Sequence, residues 1–272
     1  MSEIAQALSI AGSDSGGGAG IQADLKTFQE RGVFGTTAIT AITAQNTRGV
    51  FDIHPIPLQT IQLQIKAIAD DFNIKAFKVG MLGSPDLIKC VAKSIQDYDF
   101  GYFVLDPVMV TKGGIALLEQ NAIDAIKEEL IPLCDVITPN LHEAKALTNI
   151  DITDKQSAKK AALKLQKMGA KVVVIKGTYT NNITSKVCED WVFTQDEEFT
   201  LSSPKFDTLQ THGTGCTFSA CITAQLAIGN SIKQSIILAK DFVSAAISNP
   251  LNIGSGHGPT NHWAYSLKEE NA

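Results

Sequence analysis

The sequence has no C-x-x-C pair, and its five cysteines (Cys90, Cys134, Cys188, Cys216, Cys221) are scattered and odd in number. That argues against a disulfide framework and a zinc site, and makes a reducing cytoplasm the expected compartment. There is no long basic run, and Lys+Arg of 23 against Asp+Glu of 28 gives a net charge of −5. Nucleic acid is therefore not expected as a main partner. No apolar stretch approaches membrane-spanning length, so no membrane partner is expected. The start, Met1-Ser2-Glu3-Ile4-Ala5-Gln6, lacks a basic region ahead of an apolar run, so no secretory leader is expected. The sequon Asn182-Ile183-Thr184 is then read as accidental. Also missing are a Walker-type Gly-Lys-Ser/Thr, the third glycine of a dinucleotide fingerprint (Ile21 stands there), and any Ser-His-Asp order or zinc spacing of histidines.

What is present is a chain of 272 residues, 44% hydrophobic, enough for a large core. Its pattern alternates strand and helix. Strands are expected at Ala7–Ala11, Thr36–Thr43, Ala76–Val79, Tyr102–Leu105, Val136–Thr138 and Lys171–Ile175, with a hairpin from Val187–Phe193 and Phe199–Ser202. Helices are expected at Ile21–Arg31, Ile61–Phe72, Asp86–Ile95, Ser157–Met168, Thr217–Ile228 and Ile232–Ser248. Val50–Ile53 alternates and suits a small flap. No long linker, repeat or low-complexity segment interrupts the order, so one α/β domain over 1–272 is expected, with a mainly parallel sheet covered on both faces.

In such sheets ligands bind at the carboxyl ends of the strands. Those ends carry Gly12-Ser13-Asp14, Gln45-Asn46, Gly80-Met81, Asp106-Pro107, Asn140-Leu141-His142-Glu143 and Lys176-Gly177. Ser13 to Gly20 holds four glycines in five residues and suits close approach to a small substrate, or a mere turn. Asp106 and Glu143 could meet as hard oxygen donors for Mg²⁺, or serve as helix caps and surface charges. Lys176 ends a β-branched run and could reach a phosphate or snorkel out of the core. His54, His142, His257 and His262 read as structural or solvated, whereas His212 stays open beside a glycine turn. Gly254 to Pro259 could close over a site or simply end the last helix, and the sequence favours the ending.

Thr211-His212-Gly213-Thr214-Gly215-Cys216-Thr217 is the most informative stretch. Glycines flank a threonine, and a cysteine stands where an apolar helix begins. A helix N-terminus with free N–H groups attracts anions, and its field lowers a thiol pKa. The alternative is a glycine turn capping a core helix with a buried cysteine.

Taken together the chain resembles the hydroxymethylpyrimidine/phosphomethylpyrimidine kinases, within the ribokinase-like superfamily. The likeness is carried by Ala11 to Asp24, Thr43-Ala44-Gln45-Asn46-Thr47, Lys78-Val79-Gly80-Met81-Leu82, Asp106-Pro107-Val108-Met109, Thr138 to Ala144, Val174-Ile175-Lys176-Gly177, His212 to Cys216 and Gly256-His257-Gly258-Pro259. These segments span nearly the whole chain in the family order. The resemblance implies a three-layer sandwich with a small lid and a homodimer. It implies phosphorylation of 4-amino-5-hydroxymethyl-2-methylpyrimidine, then of its monophosphate, in thiamine biosynthesis, with ATP and Mg²⁺.

By the same resemblance, Gly213, Thr214 and Gly215 form an anion hole, and Cys216 stands where most of the superfamily places an aspartate base. Gln45 pairs with the pyrimidine, Met81 and Val108 wall the pocket, and Gly12, Ala19 and Asp24 lie near the substrate. Asp106 and Glu143 organise Mg²⁺; Lys176 and Thr214, with Lys112 of the Val110-Thr111-Lys112-Gly113-Gly114 stretch, face the ATP phosphates. Relatives with a lysine at the Lys112 position include enzymes acting on pyridoxal-type vitamers, so a pyridoxal kinase is the rival enzyme. A non-catalytic pyrimidine-binding protein is the rival of another class; the joint presence of Cys216, Lys176, Asp106 and Glu143 speaks against it.

Overall fold

Strands buried on both faces cannot alternate polar and apolar residues, and the central strands here do not. The computed structural model describes residues 3–109, 120–178 and 186–270. β1 (Gln6–Asp14) leads through a glycine loop to α1 (Gly20–Glu30), and β2 (Phe34–Asn46) turns back as β3 (Gly49–Pro55). There follow α2 (Leu58–Asp71), β4 (Ala76–Val79), α3 (Pro85–Asp97), β5 (Tyr102–Leu105), α4 (Gln120–Ala125), β6 (Val136–Ile137), α5 (Leu141–Thr148) and α6 (Lys155–Lys167). The chain continues with β7 (Val172–Thr178), β8 (Val187–Phe193), β9 (Glu198–Pro204), α7 (Thr214–Ile228), α8 (Ile232–Ser248) and α9 (Ala264–Glu270).

The strands form one sheet in the order β3-β2-β1-β4-β5-β6-β7-β8-β9. The six strands from β2 to β7 run parallel, while β3 at one edge and β8 and β9 at the other are antiparallel. Successive residues of the central strands serve opposite layers. Val173 and Ile175 pack with α2 to α6, and Val172 and Val174 pack with α1, α7 and α8. The result is the three-layer sandwich that the resemblance implies, with the exposed β3 as its flap. Strand order reverses between β1 and β4, because their neighbours lie on opposite sides and α1 and α3 cover opposite faces. The crevice at such a reversal is where ligands bind.

The structure adds elements with weak sequence signals. Helix α5 is short and polar, and a reciprocal cap holds its start: Asn140 accepts from the Glu143 N–H, and Glu143 accepts from the Asn140 N–H. Helix α4 continues in a wider turn at Ile126–Leu130, and α9 closes the described chain. Helix α7 begins at Thr214, earlier than its apolar pattern suggests, so Thr214, Gly215 and Cys216 form its first turn.

Candidate active site

A cavity of about 1060 Å³ lies at the carboxyl ends of β1, β4, β5 and β7, beneath the first turn of α7. Gly12, Ala19, Gln45, Met81, Val108, Asp106, Glu143, Lys176, Gly213, Thr214, Gly215 and Cys216 all line it. Asp24 does not. It is fully buried behind Lys78, which does line the cavity. Its expected place near the substrate is corrected accordingly: α1 turns it inward, where Lys78 and the Ser9 hydroxyl are its partners. Lys112 lies outside the described residues.

Two glycine loops build the roof of the site by backbone contact. Gly213 has φ +80°, and a Cβ there would stand 1.7 Å from the Gly18 carbonyl oxygen. Only glycine permits both that conformation and that approach. Asp14 ties the first loop together. Its carboxylate accepts from the N–H groups of Gly16 (2.7 Å), Gly18 (3.1 Å) and Ala19 (2.9 Å), and lies 2.8 Å from His212 Nε2. Burial works to raise the Asp14 pKa, but His212 and the loop N–H groups outweigh it and hold it below the usual range. The sequence reading left Asp14 without a role, although it sits inside the glycine motif. The same His212 Nε2 is 3.2 Å from Gln45 Nε2, so Gln45 rests against the histidine at the cavity wall.

The anionic end of the site is assembled by three charged residues. Lys176 Nζ donates to Asp106 Oδ1 at 3.0 Å, and the Ser219 hydroxyl donates to Asp106 Oδ2 at 3.1 Å. Burial works to raise the Asp106 pKa, yet the charges of Lys176 and Lys78 keep it low. Burial works to lower that of Lys176, yet Asp106 and Glu143 hold it up, so it stays a cation. Glu143 differs: burial, with the nearby Asp106 charge and against the pull of Lys176, pushes it up to about 7. It follows β6 closely and sits in the first turn of α5, where it forms half of the helix cap, the alternative left open for it.

Gly215 faces this cluster. A Cβ there would be 3.2 Å from Lys176 Nζ and 3.8 Å from Asp106 Oδ2. No side chain caps α7, so its opening turn keeps its attraction for anions. Thr214 is turned differently from expectation. Its N–H and its hydroxyl both point to the Thr211 carbonyl, at 3.3 and 2.6 Å. The expected thiolate at Cys216 is also corrected. Burial pushes its pKa up to about 11, and although Lys78 and the Gly20 N–H pull it down, Asp24 and Asp106 add to the rise. The thiol is neutral at rest.

The cavity extends beyond the charged end to a wall absent from the sequence reading. Cys188 and Asp190 of β8, Pro204 at the end of β9, Lys205 and Phe206 after it, and Lys240, Val243, Ser244 and Ile247 of α8 line it. They come from separate elements and form no local motif.

A model of the phosphomethylpyrimidine kinase family matches residues 14–261. The chain is 62% identical over 267 residues to the hydroxymethylpyrimidine/phosphomethylpyrimidine kinase of Haemophilus influenzae, covering 98% of this chain and 99% of that one. Among solved structures, an ADP complex of Bacillus subtilis pyridoxal kinase matches with TM-score 0.89 at 41% identity, covering 97% of this chain and 100% of that one. Staphylococcus aureus pyridoxal kinase in complex with AMP-PCP and pyridoxal matches with TM-score 0.88 at 35% identity, covering 97% and 95%.

Proposed function

This chain belongs to the phosphomethylpyrimidine kinase family, and on that premise we propose how its residues carry out the reaction. It is a kinase that phosphorylates the hydroxymethyl group of 4-amino-5-hydroxymethyl-2-methylpyrimidine, then the resulting monophosphate, supplying thiamine biosynthesis. One observation carries the residue assignment: Gly215, in an uncapped helix start, faces Lys176 and Asp106 across a single cavity.

Phosphoryl transfer is mainly positioning and charge stabilisation. The phosphates of ATP lie against Lys176 and the first turn of α7, where the N–H groups of Gly215 and Cys216 meet the charge that develops in flight. The apolar wall from Val243, Ile247 and Phe206 accepts the nucleoside. The pyrimidine lies at the other end, between Met81 and Val108, with Gln45 offering a donor and an acceptor to the ring edge. Gly12 leaves room for the Met81 side chain, whose end carbon is 2.5 Å from where a Cβ would be. The substrate hydroxyl points at Cys216, whose neutral thiol orients it by hydrogen bonding while its proton leaves late, to an oxygen of the transferring phosphoryl group. A loose transition state asks little of a base, so no resting thiolate is needed.

The donor set fits Mg²⁺. Among the described residues no group of three or more His, Cys, Asp or Glu side chains converges as a full metal cage. Asp106 and Glu143 are hard carboxylates beside a phosphate site, and Mg²⁺ characteristically combines one or two carboxylates with phosphate oxygens and water. When bound, the ion would neutralise phosphate charge between these two residues.

Pyridoxal is the second substrate class to weigh, since the two solved structures above are pyridoxal kinases. ADP release with Mg-ATP, measured in parallel on the hydroxymethylpyrimidine, its monophosphate and pyridoxal, separates the readings. Turnover of both pyrimidine species with little on pyridoxal is expected. Preference for pyridoxal without a second pyrimidine phosphorylation would overturn it. Binding without ADP release would favour a non-catalytic protein. We place the enzyme in the cytoplasm as a homodimer; no helix among the described residues is long and apolar enough to cross a membrane, and sedimentation tests the dimer.

A further inference from the structure

The antiparallel pairing of β7 with β8 is irregular at one point. Ile175 pairs with Trp191 and Thr178 with Glu189, so Lys176 and Gly177 together stand opposite the single residue Asp190. This is a β-bulge, a device by which a strand re-aims a side chain. Gly177 adopts φ +66° within it. Its N–H donates to Asp190 Oδ1 at 2.7 Å instead of to a ladder carbonyl. Asp190 Oδ2 in turn accepts from Lys240 Nζ of α8 at 2.9 Å.

Asp190 and Lys240 are only 5% and 8% exposed. Their layer is mainly apolar, with Val174, Val192, Ile236, Ala239 and Val243 beside the neutral buried Thr223 and Ser235. Desolvating two charges in such a layer is costly, and an apolar pair of similar volume often packs as well or better. Stability is therefore a poor reason for the pair, whereas the bulge gives it a task. Lys176 is held by its own N–H to the Pro139 carbonyl at 2.9 Å on one side. On the other, Asp190 supplies the acceptor that the bulge takes away from Gly177. A buried N–H without a partner would press the strand toward another register, and a one-residue slip sends each side chain to the opposite face.

We propose that Asp190, locked by Lys240, is the positioning residue for Lys176: it holds the bulge and so fixes where the lysine ammonium meets the nucleotide phosphates. This rests on the reading of Lys176 as the phosphate-holding group. Both residues also line the cavity beside Val243 and Ser244, but their hydrogen bonds run to the Gly177 N–H and to each other.

Two double variants that leave no unpaired buried charge test the idea. Asp190→Asn/Lys240→Met keeps an oxygen for the Gly177 N–H; Asp190→Leu/Lys240→Met removes it. The ATP KM of the leucine variant is expected to exceed that of the asparagine variant about tenfold, the scale of one hydrogen bond left unmade. The pyrimidine KM should differ less than about twofold between them, since the two sites lie at opposite ends of the cavity. Equal ATP KM values would overturn the proposal, and so would parallel rises in both KM values, which mark general loosening. Lys176→Met checks the underlying reading separately. A raised ATP KM in that variant beside equal values in the double variants would sink the positioning role alone. An unchanged ATP KM in Lys176→Met would sink the reading of Lys176, and the proposal with it.

Discussion

Lys78 Nζ lies 2.5 Å from Asp24 Oδ1, and both side chains are wholly buried. Ser9 donates to the other Asp24 oxygen at 2.6 Å, and Lys78 reaches the Cys216 carbonyl at 3.4 Å. One ion pair thus joins β1, α1, β4 and the start of α7. Burial works to lower the Lys78 pKa, but the charge of Asp24, that of Asp106 and the hydrogen bond to Asp24 together outweigh it, and the lysine stays protonated. Lys78→Met leaves Asp24 buried without its partner and should destabilise by roughly 3–5 kcal/mol. Asp24→Leu/Lys78→Met removes both charges and should recover most of that loss. Urea denaturation compares them; identical midpoints for the two variants would show that the pair does not hold this junction.

The Asp24 result illustrates what the sequence could and could not convey. The glycine loops, Asp106, Lys176 and the α7 turn were legible because each compresses its chemistry into a few adjacent residues at a strand or helix end. Asp24 belongs to the same motif, but helical phase turns it from the cavity, and only the packing of Lys78 against it reveals its role. For Glu143 the sequence left a metal ligand and a helix cap side by side, because α5 is too short and polar to announce itself; the pairing with Asn140 settles the cap. The apolar wall of Cys188, Phe206, Val243 and Ile247 arises from elements brought together by the sheet order, so no local spacing encodes it. The thiol of Cys216 was read from the helix field, and burial proved the stronger influence.

Gly213 and Gly215 lie two residues apart, yet their substitution should fail in different ways. Ala at 213 meets both a left-handed φ of +80° and the Gly18 carbonyl oxygen. Gly213→Ala should destabilise by roughly 1–3 kcal/mol through strain, seen as a lowered thermal midpoint. Ala at 215 meets only the end of the flexible Lys176 side chain within 3.4 Å. Gly215→Ala should fold normally while losing activity on the order of 100-fold, as a small misplacement at a reacting centre can produce. A stable, fully active Gly215→Ala would remove the anion site from the start of α7.

His262 gives the fold a defined response to acid. Its Nε2 is 3.0 Å from the buried Thr217 hydroxyl. Burial, aided by the charge of Lys26, lowers its pKa to about 4 from the usual 6.5. Between those values the unfolded chain binds a proton that the folded one refuses, so stability rises with pH across that window. It is fully present above about 6.5 and is lost as pH falls toward 4. On acidification from pH 6.5 the wild type should lose up to about 1.4 kcal/mol per pH unit more than His262→Gln. Parallel stability curves for the two proteins would mean that His262 accepts its proton without cost.

Cys216 separates chemistry from binding. The thiol sits in the first turn of α7, where the helix field favours a thiolate, but burial holds its pKa near the alkaline limit, pushed up to about 11. The alkylation rate by iodoacetamide should therefore climb with pH through 9 and 10 without levelling. A plateau near neutrality would restore the resting thiolate and, with it, a base already charged before substrate arrives. Cys216→Ala should lower kcat on the order of 100-fold, as loss of an orienting contact at the reacting centre can produce, while the pyrimidine KM changes little, because the ring contacts lie at Gln45, Met81 and Val108. Cys216→Ser restores a hydroxyl at the same place but not the polarisable sulfur, and an intermediate kcat is expected. Full activity in Cys216→Ala would discard its part in orienting the hydroxyl, and the end built from Lys176, Asp106 and the Gly215 backbone would then carry the reaction without it.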